Sequence, residues 1–404
     1  MRPAQNSQST APLRPLDGIT VISLEHAIAA PFCTRQLADL GARVIKIERP
    51  GSGDFARSYD TRVRGLASHF VWTNRSKESL TLDVKHSAAQ QILTKLIASA
   101  DVLVQNLAPG AAQRLGLGYE QLKGSHPRLI VCDISGYGGS GPYLHKKAYD
   151  LLIQSESGFL SITGTPDEPC KAGNSMADIS AGMYAYSSIL AALLLRQKTG
   201  RGTRIDVSLL ETSVEWMSYA LYYGFEGAAP PPRTGASHAT IYPYGPFRAG
   251  DGKYVMLGLQ NEREWSVFCE RVLLQPGLAA KADFATNSKR VAVRVELKSL
   301  IEDVFKPLTS AEVVARLDAA GVANARINDI QEVWKHPQLS ARGRWTEVDT
   351  PAGKVPALLP PALPADVLPR MDPVPALGEH TDRILGELGY PASTIGRLRT
   401  EQAI

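Results

Sequence analysis

One aspartate stands where a carboxylate could do chemistry. Asp178 lies in the segment MADISAG, directly before a long run of mainly apolar residues that predicts a helix from Asp178 to Arg196. An aspartate at the start of a helix is ordinarily a capping residue, worth about 1 kcal/mol. The same place also suits a nucleophile, because the helix dipole and its free N–H groups favour an ionised carboxylate at neutral pH. The residues alone leave both interpretations open.

A glycine-rich segment, GYGGSGP, follows a predicted strand and carries Gly136, Gly138 and Gly141 in the GxGxxG spacing. A dinucleotide-binding loop needs a helix that begins at the third glycine, so that the helix N-terminus holds the pyrophosphate. Pro142 follows instead, without helical periodicity. The segment is therefore interpreted as a flexible loop beside an active site.

Several common catalytic patterns are missing from the sequence. It contains no HExxH, GxSxG, Walker A or DxDxDG motif. The commonest metallohydrolase, serine hydrolase, nucleotide triphosphatase and EF-hand interpretations are therefore excluded.

The elements that must position these residues alternate between strand and helix. The runs ITVISL, RVIKIER, SLTLDV, DVLVQN and RLIVCDISG are separated by helical patterns such as PFCTRQLADLG and QQILTKLIASA. This alternation predicts βαβ units and a parallel sheet covered on both faces. A strand, GTRIDVSL, and a second long helix from Glu211 to Tyr223 follow the Asp178–Arg196 helix.

The second half of the chain is organised differently. Pro and Gly cluster in GAAPPPRTG, residues 227–235, which indicates a linker or domain boundary. Beyond it, PYGPFRAGDGKYVML predicts a hairpin that turns at Asp251-Gly252, followed by three amphipathic helices. A Pro-rich stretch at 351–369 predicts an extended segment without regular structure. We predict a disordered tail at 1–14, a large α/β domain at 15–226, a small α+β domain at 227–330, and a segment at 331–404 that returns to the large domain.

Composition limits the partners. The 404 residues are 44% hydrophobic and 21% charged, as in ordinary globular proteins. The net charge of +4 arises from 44 basic and 40 acidic residues without a basic block, so nucleic acid is not an expected partner. We expect no signal peptide, no membrane span, no metal and a cytoplasmic location with reduced thiols. The cysteines, which show no metal-ligand spacing, are Cys33, Cys132, Cys170 and Cys269.

The chain resembles the family III (CaiB/BaiF) CoA-transferases, which include formyl-CoA transferase, carnitine CoA-transferase and the α-methylacyl-CoA racemases. The resemblance runs from about Pro15 to the C-terminal helix. It rests on PLDGITVISLEHAIAAPFC, LGARVIKIERPGSGDFAR, DVLVQNLAPGAAQRLGLGYEQL, SGYGGSGP, MADISAGMYA, KTGRGTRIDVSLLE and LGEHTDRILGELGY. It implies a large Rossmann-like domain, a smaller α+β domain and a homodimer of two interlocked chains.

The resemblance also implies a reaction and its residues. Asp178 matches the catalytic aspartate, which takes the acyl group of a CoA thioester as a mixed anhydride and then carries CoA as an aspartyl thioester. The CoA thioester is a substrate, and no tightly bound cofactor is implied. The residues that match CoA-contacting positions are His26, Ala27, Asn106 and Leu107 along the CoA bed, Arg49 and Arg114 at the nucleotide end, and Lys147 and Tyr149 near the reacting carbonyl.

At two places the sequence differs from members of the family, and these differences narrow the choice of reaction. Racemases use a histidine beside an aspartate where this chain has Tyr149 and Asp150, and a phenol of pKa about 10 is a poor proton carrier near pH 7. Formyl-CoA transferases have a glutamine where Ile28 stands, and a glycine run that is absent around GLQNERE. We therefore predict transfer, with succinyl-CoA or a similar short acyl-CoA as donor and a short dicarboxylate as acceptor.

The sequence does not determine which residues contact the acceptor or which acids are the donor and acceptor. The candidate residues for contact with the acceptor acid are Ile28, Asp150 and His238, with Arg62 or Arg64 as further possibilities. The alternative functions are an α-methylacyl-CoA racemase or epimerase of the same fold, and a non-catalytic acyl-CoA-binding protein.

Overall fold

The computed structural model describes residues 14–404, so the predicted tail at 1–14 lies, apart from Arg14, outside the described residues. The chain divides into two compact units, each with its own core. Unit 1 holds the chain up to Ser157, Gly173–Trp216 and Leu339–Ile404. Unit 2 holds Gly158–Ala172 and Met217–Gln338.

Strands and helices alternate through the first half of the chain, as its sequence pattern predicts. The strands are β1 Thr20–Leu24, β2 Arg43–Glu48, β3 Lys77–Thr81, β4 Val102–Gln105, β5 Ile130–Ser135, β6 Arg204–Ser208, β7 Tyr244–Arg248, β8 Tyr254–Gly258, β9 Asn324–Arg326, β10 Trp345–Val348 and β11 Val355–Leu358. The α-helices are α1 Ala29–Asp39, α2 Ser68–Thr73, α3 Ser87–Ala98, α4 Ala111–Arg114, α5 Tyr119–Leu122, α6 Asp150–Glu156, α7 Phe159–Ile162, α8 Met176–Thr199, α9 Leu209–Trp216, α10 Tyr219–Tyr223, α11 Glu262–Val267, α12 Asn287–Ala292, α13 Arg294–Phe305, α14 Ser310–Ala320, α15 Ile330–Trp334, α16 Pro337–Ala341, α17 Thr381–Glu387 and α18 Ala392–Thr400.

Unit 1 is built on a six-stranded sheet in the order β3-β2-β1-β4-β5-β6, with every neighbouring pair parallel. The buried strand residues are mostly Val, Ile and Leu, which suit a sheet that is covered on both faces. One face packs against α1 and α8, and the other against α3, α17 and α18. The predicted α/β class with a parallel sheet is confirmed.

The helix α8 is the long apolar helix that the sequence predicts. Its 24 residues are long and apolar enough, by length and composition alone, to cross a membrane, whereas the sequence analysis expected no membrane span. Ala181, Ala185 and Ile189 are fully buried among the residues of α1 and the sheet. The buried side of α8 thus belongs to the core of unit 1, whereas Leu194 and Leu195 near its end are exposed.

Unit 2 contains a small antiparallel sheet and short helices. The predicted hairpin is confirmed: β7 pairs with β8, and Gly252 in the turn adopts φ +81°, where a side chain would be strained. β9 completes the sheet beside β8. The core contains Phe247, Trp265 and Phe305, all at most 1% exposed.

Two local predictions are wrong. The predicted helix from Glu211 to Tyr223 is broken into α9 and α10, because Ser218 adopts φ +50° between them. The chain leaves unit 1 there, after Trp216, and residues 227–235 lie inside unit 2. Within the Pro-rich stretch, Val355–Leu358 forms a strand that pairs with β10, where an edge position tolerates Pro356.

Candidate active site

The site begins at the point where the strand order of the sheet reverses. β1 lies between β2 and β4, so the chain leaves β1 toward one side of the sheet and later returns on the other. In such sheets ligands bind outside the carboxyl ends of the strands at this point. His26 and Ala27 follow β1, and Asn106 and Leu107 follow β4.

The two loops at this point are joined by a pair of hydrogen bonds. The His26 N–H donates to Asn106 Oδ1 over 2.9 Å, and Asn106 Nδ2 donates to the His26 carbonyl oxygen over 2.9 Å. The Leu107 N–H donates to the Gln105 side chain over 2.7 Å. The structure therefore brings together the four residues that the sequence assigned to the CoA bed.

Beneath this loop lies a cluster of fully buried charges. Lys77 Nζ is 2.7 Å from Glu25 Oε1, and Lys46 Nζ is 2.7 Å from Asp54 Oδ2 and 3.5 Å from Glu25. Asn74 Oδ1 accepts a hydrogen bond from both lysines, each over 3.1 Å. We call these five residues the buried charge cluster.

The charged residues of the buried charge cluster have pKa values that are shifted for different reasons. Burial lowers the pKa of Lys77 to about 8, and the attraction of Glu25 only partly offsets this. Burial alone would raise the pKa of Glu25, but Lys77 and Lys46 outweigh it and hold that pKa below its ordinary value. Every charge in the cluster thus has an opposite charge beside it, as burial requires.

The cluster shapes the loop after β1. Asp54 Oδ1 accepts the N–H of Ala27 over 3.1 Å and that of Ala56 over 2.9 Å. Ala27 adopts φ +61°, a conformation that non-glycine residues rarely take and that the surroundings must enforce. The ring of His26 stacks on Phe55 at 5.1 Å. Buried charges therefore hold the backbone of the predicted CoA bed in one conformation.

Asp178 occupies the third position of α8. The N-cap residue Ser175 makes no side-chain capping bond. Instead Asp150 Oδ1 accepts the N–H groups of Ala177 over 2.8 Å and Asp178 over 3.2 Å. Asp150 also accepts from Gln154 over 2.7 Å. The capping interpretation of Asp178 is wrong, because Asp150 caps this helix.

The carboxyl group of Asp178 is in an unusual electrostatic environment. Burial, reinforced by the nearby Asp150 carboxylate, raises the pKa of Asp178 to about 7. Between residues 14 and 404 no Lys, Arg or His forms an ion pair with it. The expectation that the helix end favours an ionised Asp178 at neutral pH is also wrong, since Asp150 accepts two of the free N–H groups and adds a like charge, and burial raises the pKa of Asp178.

Close packing between α8 and α1 brings Asp178 near the loop after β1. Gly182, about one turn further along α8, lies against α1, where an added Cβ would come within 2.7 Å of the Ala29 carbonyl oxygen. Ala29 is the first residue of α1 and follows the His26–Ile28 loop directly. A glycine at this crossing therefore lets the start of α8 approach the start of α1.

Tyr59 is a member of the site that the sequence reasoning missed. Burial raises the pKa of Tyr59 to about 12, and Asp54, Asp178 and Tyr149 each contribute to the rise. The ring of Tyr59 also lies 5.8 Å from that of Phe55, on which His26 stacks, so Tyr59 lies beside the loop after β1 and within the electrostatic influence of Asp178 and Tyr149. The signal was present in the sequence, since Tyr59 directly follows the segment LGARVIKIERPGSGDFAR and one serine.

Three predicted cations lie exposed after different strands. Arg49 directly follows β2, Arg114 ends α4 after β4, and Lys147 lies in the loop after β5. In the described part of the chain none of the three forms an ion pair, whereas Arg57 and Lys146 are paired with Glu48 and Glu156. Unpaired cations at this edge of the sheet could meet the phosphates of CoA.

The glycine-rich loop does not have dinucleotide-binding geometry. No helix begins at Gly141, and the next helix, α6, begins at Asp150. An added Cβ on Gly136 would lie 2.1 Å from the Ala148 side chain, so the loop passes directly against the segment that carries Lys147 and Tyr149. Tyr149 itself is 68% exposed.

The proposed acceptor contacts lie in different environments. Ile28 is buried beside the start of α1, and Asp150 is engaged as the helix cap. His238 belongs to unit 2, where Nδ1 accepts the N–H groups of Thr240 and Ile241, and burial with Arg294 nearby lowers its pKa. Arg62 and Arg64 are exposed in the loop before α2.

Comparison with known proteins identifies the class that this fold and site define. Residues 16–381 match the model of CoA-transferase family III, and the chain belongs to this family. It is therefore a family III CoA-transferase.

Individual relatives agree over nearly the whole chain. Succinyl-CoA:glutarate CoA-transferase of Homo sapiens is 34% identical over 392 residues, covering 96% of this chain and 89% of the human protein. Succinate–glutarate CoA-transferase of Agrobacterium fabrum is 35% identical over 393 residues, covering 93% and 96%. The crystal structure of a CaiB/BaiF family protein from Brucella suis has a TM-score of 0.82 at 36% identity, covering 93% and 99%.

Proposed function

We propose that this transferase moves CoA from succinyl-CoA or a similar short acyl-CoA to a second carboxylic acid, with Asp178 as the covalent catalyst. The observation that carries the proposal is the Asp178 carboxyl group, which has no cationic partner in the described structure and lies beside the predicted CoA bed. The substrates of the relatives named above support a dicarboxylic donor and acceptor.

The reaction proceeds through acyl transfers that conserve the energy of the thioester. The ionised Asp178 attacks the thioester carbonyl, the C–S bond breaks, and CoA leaves as a thiolate. The thiolate then attacks the aspartyl carbonyl of the mixed anhydride and releases the donor acid, which leaves CoA bound to Asp178 as a thioester. The acceptor carboxylate attacks this thioester, and the released thiolate takes the acceptor acyl group from the second anhydride. Asp178 is regenerated, and no water or net proton is consumed.

The surroundings of Asp178 favour this role. A carboxylate that burial and Asp150 destabilise as an anion is a stronger nucleophile than one held in an ion pair. Asp150 fixes the first turn of α8 through two N–H groups and so orients Asp178 without contacting its carboxyl group. Tyr59 and Tyr149 share this neighbourhood, and we assign them to contact with the reacting carbonyl.

CoA is assigned to the edge of the sheet. We assign its pantetheine portion to the loops of His26, Ala27, Asn106 and Leu107, whose shape is fixed by hydrogen bonds and by the buried charge cluster. The phosphates are assigned to Arg49 and Arg114, because these exposed cations have no carboxylate partner in the described chain. Lys147 is assigned to the end of CoA near the reacting carbonyl.

Trapping the covalent intermediate tests the catalyst. The enzyme is incubated with succinyl-CoA and hydroxylamine, digested, and examined by mass spectrometry. We expect a hydroxamate on Asp178, in the peptide that contains MADISAGMYA, and none in Asp178→Asn. An adduct on Asp150, or full transfer activity in Asp178→Asn, would show that the mechanism is wrong.

The racemase alternative has a separate readout. An α-methylacyl-CoA racemase exchanges the α-proton of its substrate with solvent deuterium and moves no CoA. We expect CoA to move without such exchange, because Tyr149 stands where racemases use a histidine. Exchange without transfer would favour the racemase.

We further propose that the protein is a homodimer with interlocked chains. Leu151, Leu152, Leu194 and Leu195 are each 47–62% exposed on α6 and α8, which is unfavourable unless another surface covers them. An obligate interface of this kind is large and apolar. Light scattering should show a dimer at micromolar concentration, and a stable monomer would contradict the proposal.

A further inference from the structure

Unit 2 contains a cavity whose lining includes none of the residues assigned above to CoA or to catalysis. Its volume is about 730 Å³, which lies in the range of small-molecule sites. Pro230, Pro231 and Pro232 form one wall, and Val291 and Val295 contribute to another. The prolines that looked like a domain linker in the sequence are therefore the rigid apolar wall of a cavity.

The cavity also carries positive charge. Arg233 donates to the carbonyl oxygens of Thr165 over 2.8 Å and Pro166 over 2.7 Å. Arg294 donates through Nη2 to the carbonyl oxygens of His238 over 3.0 Å and Ala239 over 3.1 Å. Neither guanidinium has a carboxylate partner within residues 14–404. Both groups are thus fixed in place by neutral oxygens, and their charges remain uncompensated.

A third cation completes this lining. Lys298, one turn after Arg294 on α13, lines the cavity and lies 3.2 Å from Glu302. Of these three cations in the described chain, only Lys298 forms an ion pair, so two of them lack a directly bonded carboxylate. An anion would balance their charges.

Two polar atoms of residues that line the cavity lack a hydrogen-bond partner. Arg294 Nε and Tyr242 Oη are both buried and unsatisfied, although buried polar atoms are normally paired. The Arg294 guanidinium also lies 5.4 Å from the Tyr242 ring. Leaving such groups unpaired is destabilising, and a suitable ligand could satisfy them after a small side-chain movement.

We propose that this cavity binds a small organic anion, namely a carboxylate with a short apolar body. The carboxylate contacts Arg294 and Lys298, because a guanidinium matches the geometry of a carboxylate. The apolar body packs against the prolines and valines. Walls that are mainly apolar suit a carboxylic acid better than a polyphosphate. The proposal does not depend on the chemistry of Asp178.

Calorimetric titration with hexanoate, and with hexanamide as the uncharged probe of the same shape, tests the site. We expect hexanoate to bind wild type, and its affinity to fall at least tenfold in Arg294→Gln and in Lys298→Gln. Lys306→Gln is the matched control, because Lys306 is exposed in unit 2 and does not line the cavity. Hexanamide should bind much more weakly than hexanoate.

Other outcomes would overturn the proposal. Equal hexanoate affinity in Lys298→Gln and Lys306→Gln would exclude this cavity, as would equal binding of hexanoate and hexanamide. Lys298 is partly exposed, so its variant decides the test if Arg294→Gln fails to fold. Asp178→Asn should keep the hexanoate binding that depends on Lys298. Loss of that binding in Asp178→Asn would place the acid near the catalyst instead.

Discussion

Two groups of carboxylates in unit 1 have opposite surroundings. Glu25 and Asp54 are fully buried, but lysines lie within 2.7 Å of each and hold their pKa values low. Asp178 is less deeply buried, lacks a cationic partner in the described chain, and has its pKa raised to about 7. Neighbouring charge, more than burial, therefore separates carboxylates that hold the fold from the one that is available for chemistry.

The largest expected effect is on catalysis by Asp178→Asn. If the unpaired carboxylate is the nucleophile, kcat/KM for transfer should fall at least a thousandfold, on the order of 4 kcal/mol of transition-state stabilisation. Asp303→Asn, an exposed change on α13, should leave it unchanged. Steady-state kinetics and circular dichroism measure activity and folding. A fall in kcat/KM smaller than tenfold would mean that Asp178 is not the nucleophile and does not differ in role from the paired carboxylates Glu25 and Asp54.

Substitutions in the buried charge cluster, where carboxylates are paired with lysines, should change the stability of the fold. Lys77→Met leaves Glu25 buried without its nearest cation, which should lower the free energy of unfolding by about 3–5 kcal/mol. Lys123→Met, at an exposed ion pair with Glu120, should leave the free energy of unfolding nearly unchanged, because solvent screens that pair. Urea denaturation at pH 7 measures both. Equal effects would mean that the buried charge cluster does not hold the fold.

The pH dependence of stability should differ between wild type and Asp178→Asn. A carboxyl group with a raised pKa in the folded state binds its proton more tightly than in the unfolded state. Wild type should therefore lose stability as pH rises from about 4 to about 7, by up to about 4 kcal/mol for this residue. Asp178→Asn lacks this loss, so it should be the more stable protein at pH 8 and equal to wild type near pH 4. Thermal unfolding at both pH values tests this.

The same contrast between paired and unpaired charges applies to the cations of unit 1. Arg49 is unpaired in the described chain and assigned to CoA phosphate, so Arg49→Ala should raise KM about tenfold for every acyl-CoA and leave kcat nearly unchanged. Arg201→Ala, also exposed, is the control. Kinetics with two donors and two acceptors measure the effect. A change in acceptor preference would show that Arg49 does not bind the nucleotide end.

The smallest expected effect concerns the helix cap. Asp150→Asn keeps a capping oxygen for the N–H groups of Ala177 and Asp178 but removes the like charge beside Asp178. The pKa of Asp178 should fall, and the acidic limb of the kcat/KM profile, expected near pH 7 in wild type, should move to lower pH. An unmoved limb would show that burial alone sets this pKa.

Much of the fold was predictable because its signals are local. Alternating β-branched runs and helical periods predicted the parallel sheet, and Asp251-Gly252 predicted the hairpin. The break at Ser218 was not predictable, since a single residue of positive φ leaves the helical pattern intact. The sequence placed Asp178 at a helix start but could not show that Asp150, distant along the chain, supplies the cap. Tyr59 stands next to a segment that the sequence singled out, but its proximity to Asp178 arises only in the folded chain.

The discontinuity of unit 1 has a consequence for protein synthesis. Its sheet needs β6, and one face of its core needs Ile384, Leu385 and Leu398 from the last part of the chain. All of unit 2 has been translated before those residues leave the ribosome. Unit 2 can therefore form its core first, while unit 1 keeps apolar surface on β3 and α3 uncovered. During that interval the nascent chain exposes apolar surface that is buried only when its last residues pack onto the sheet.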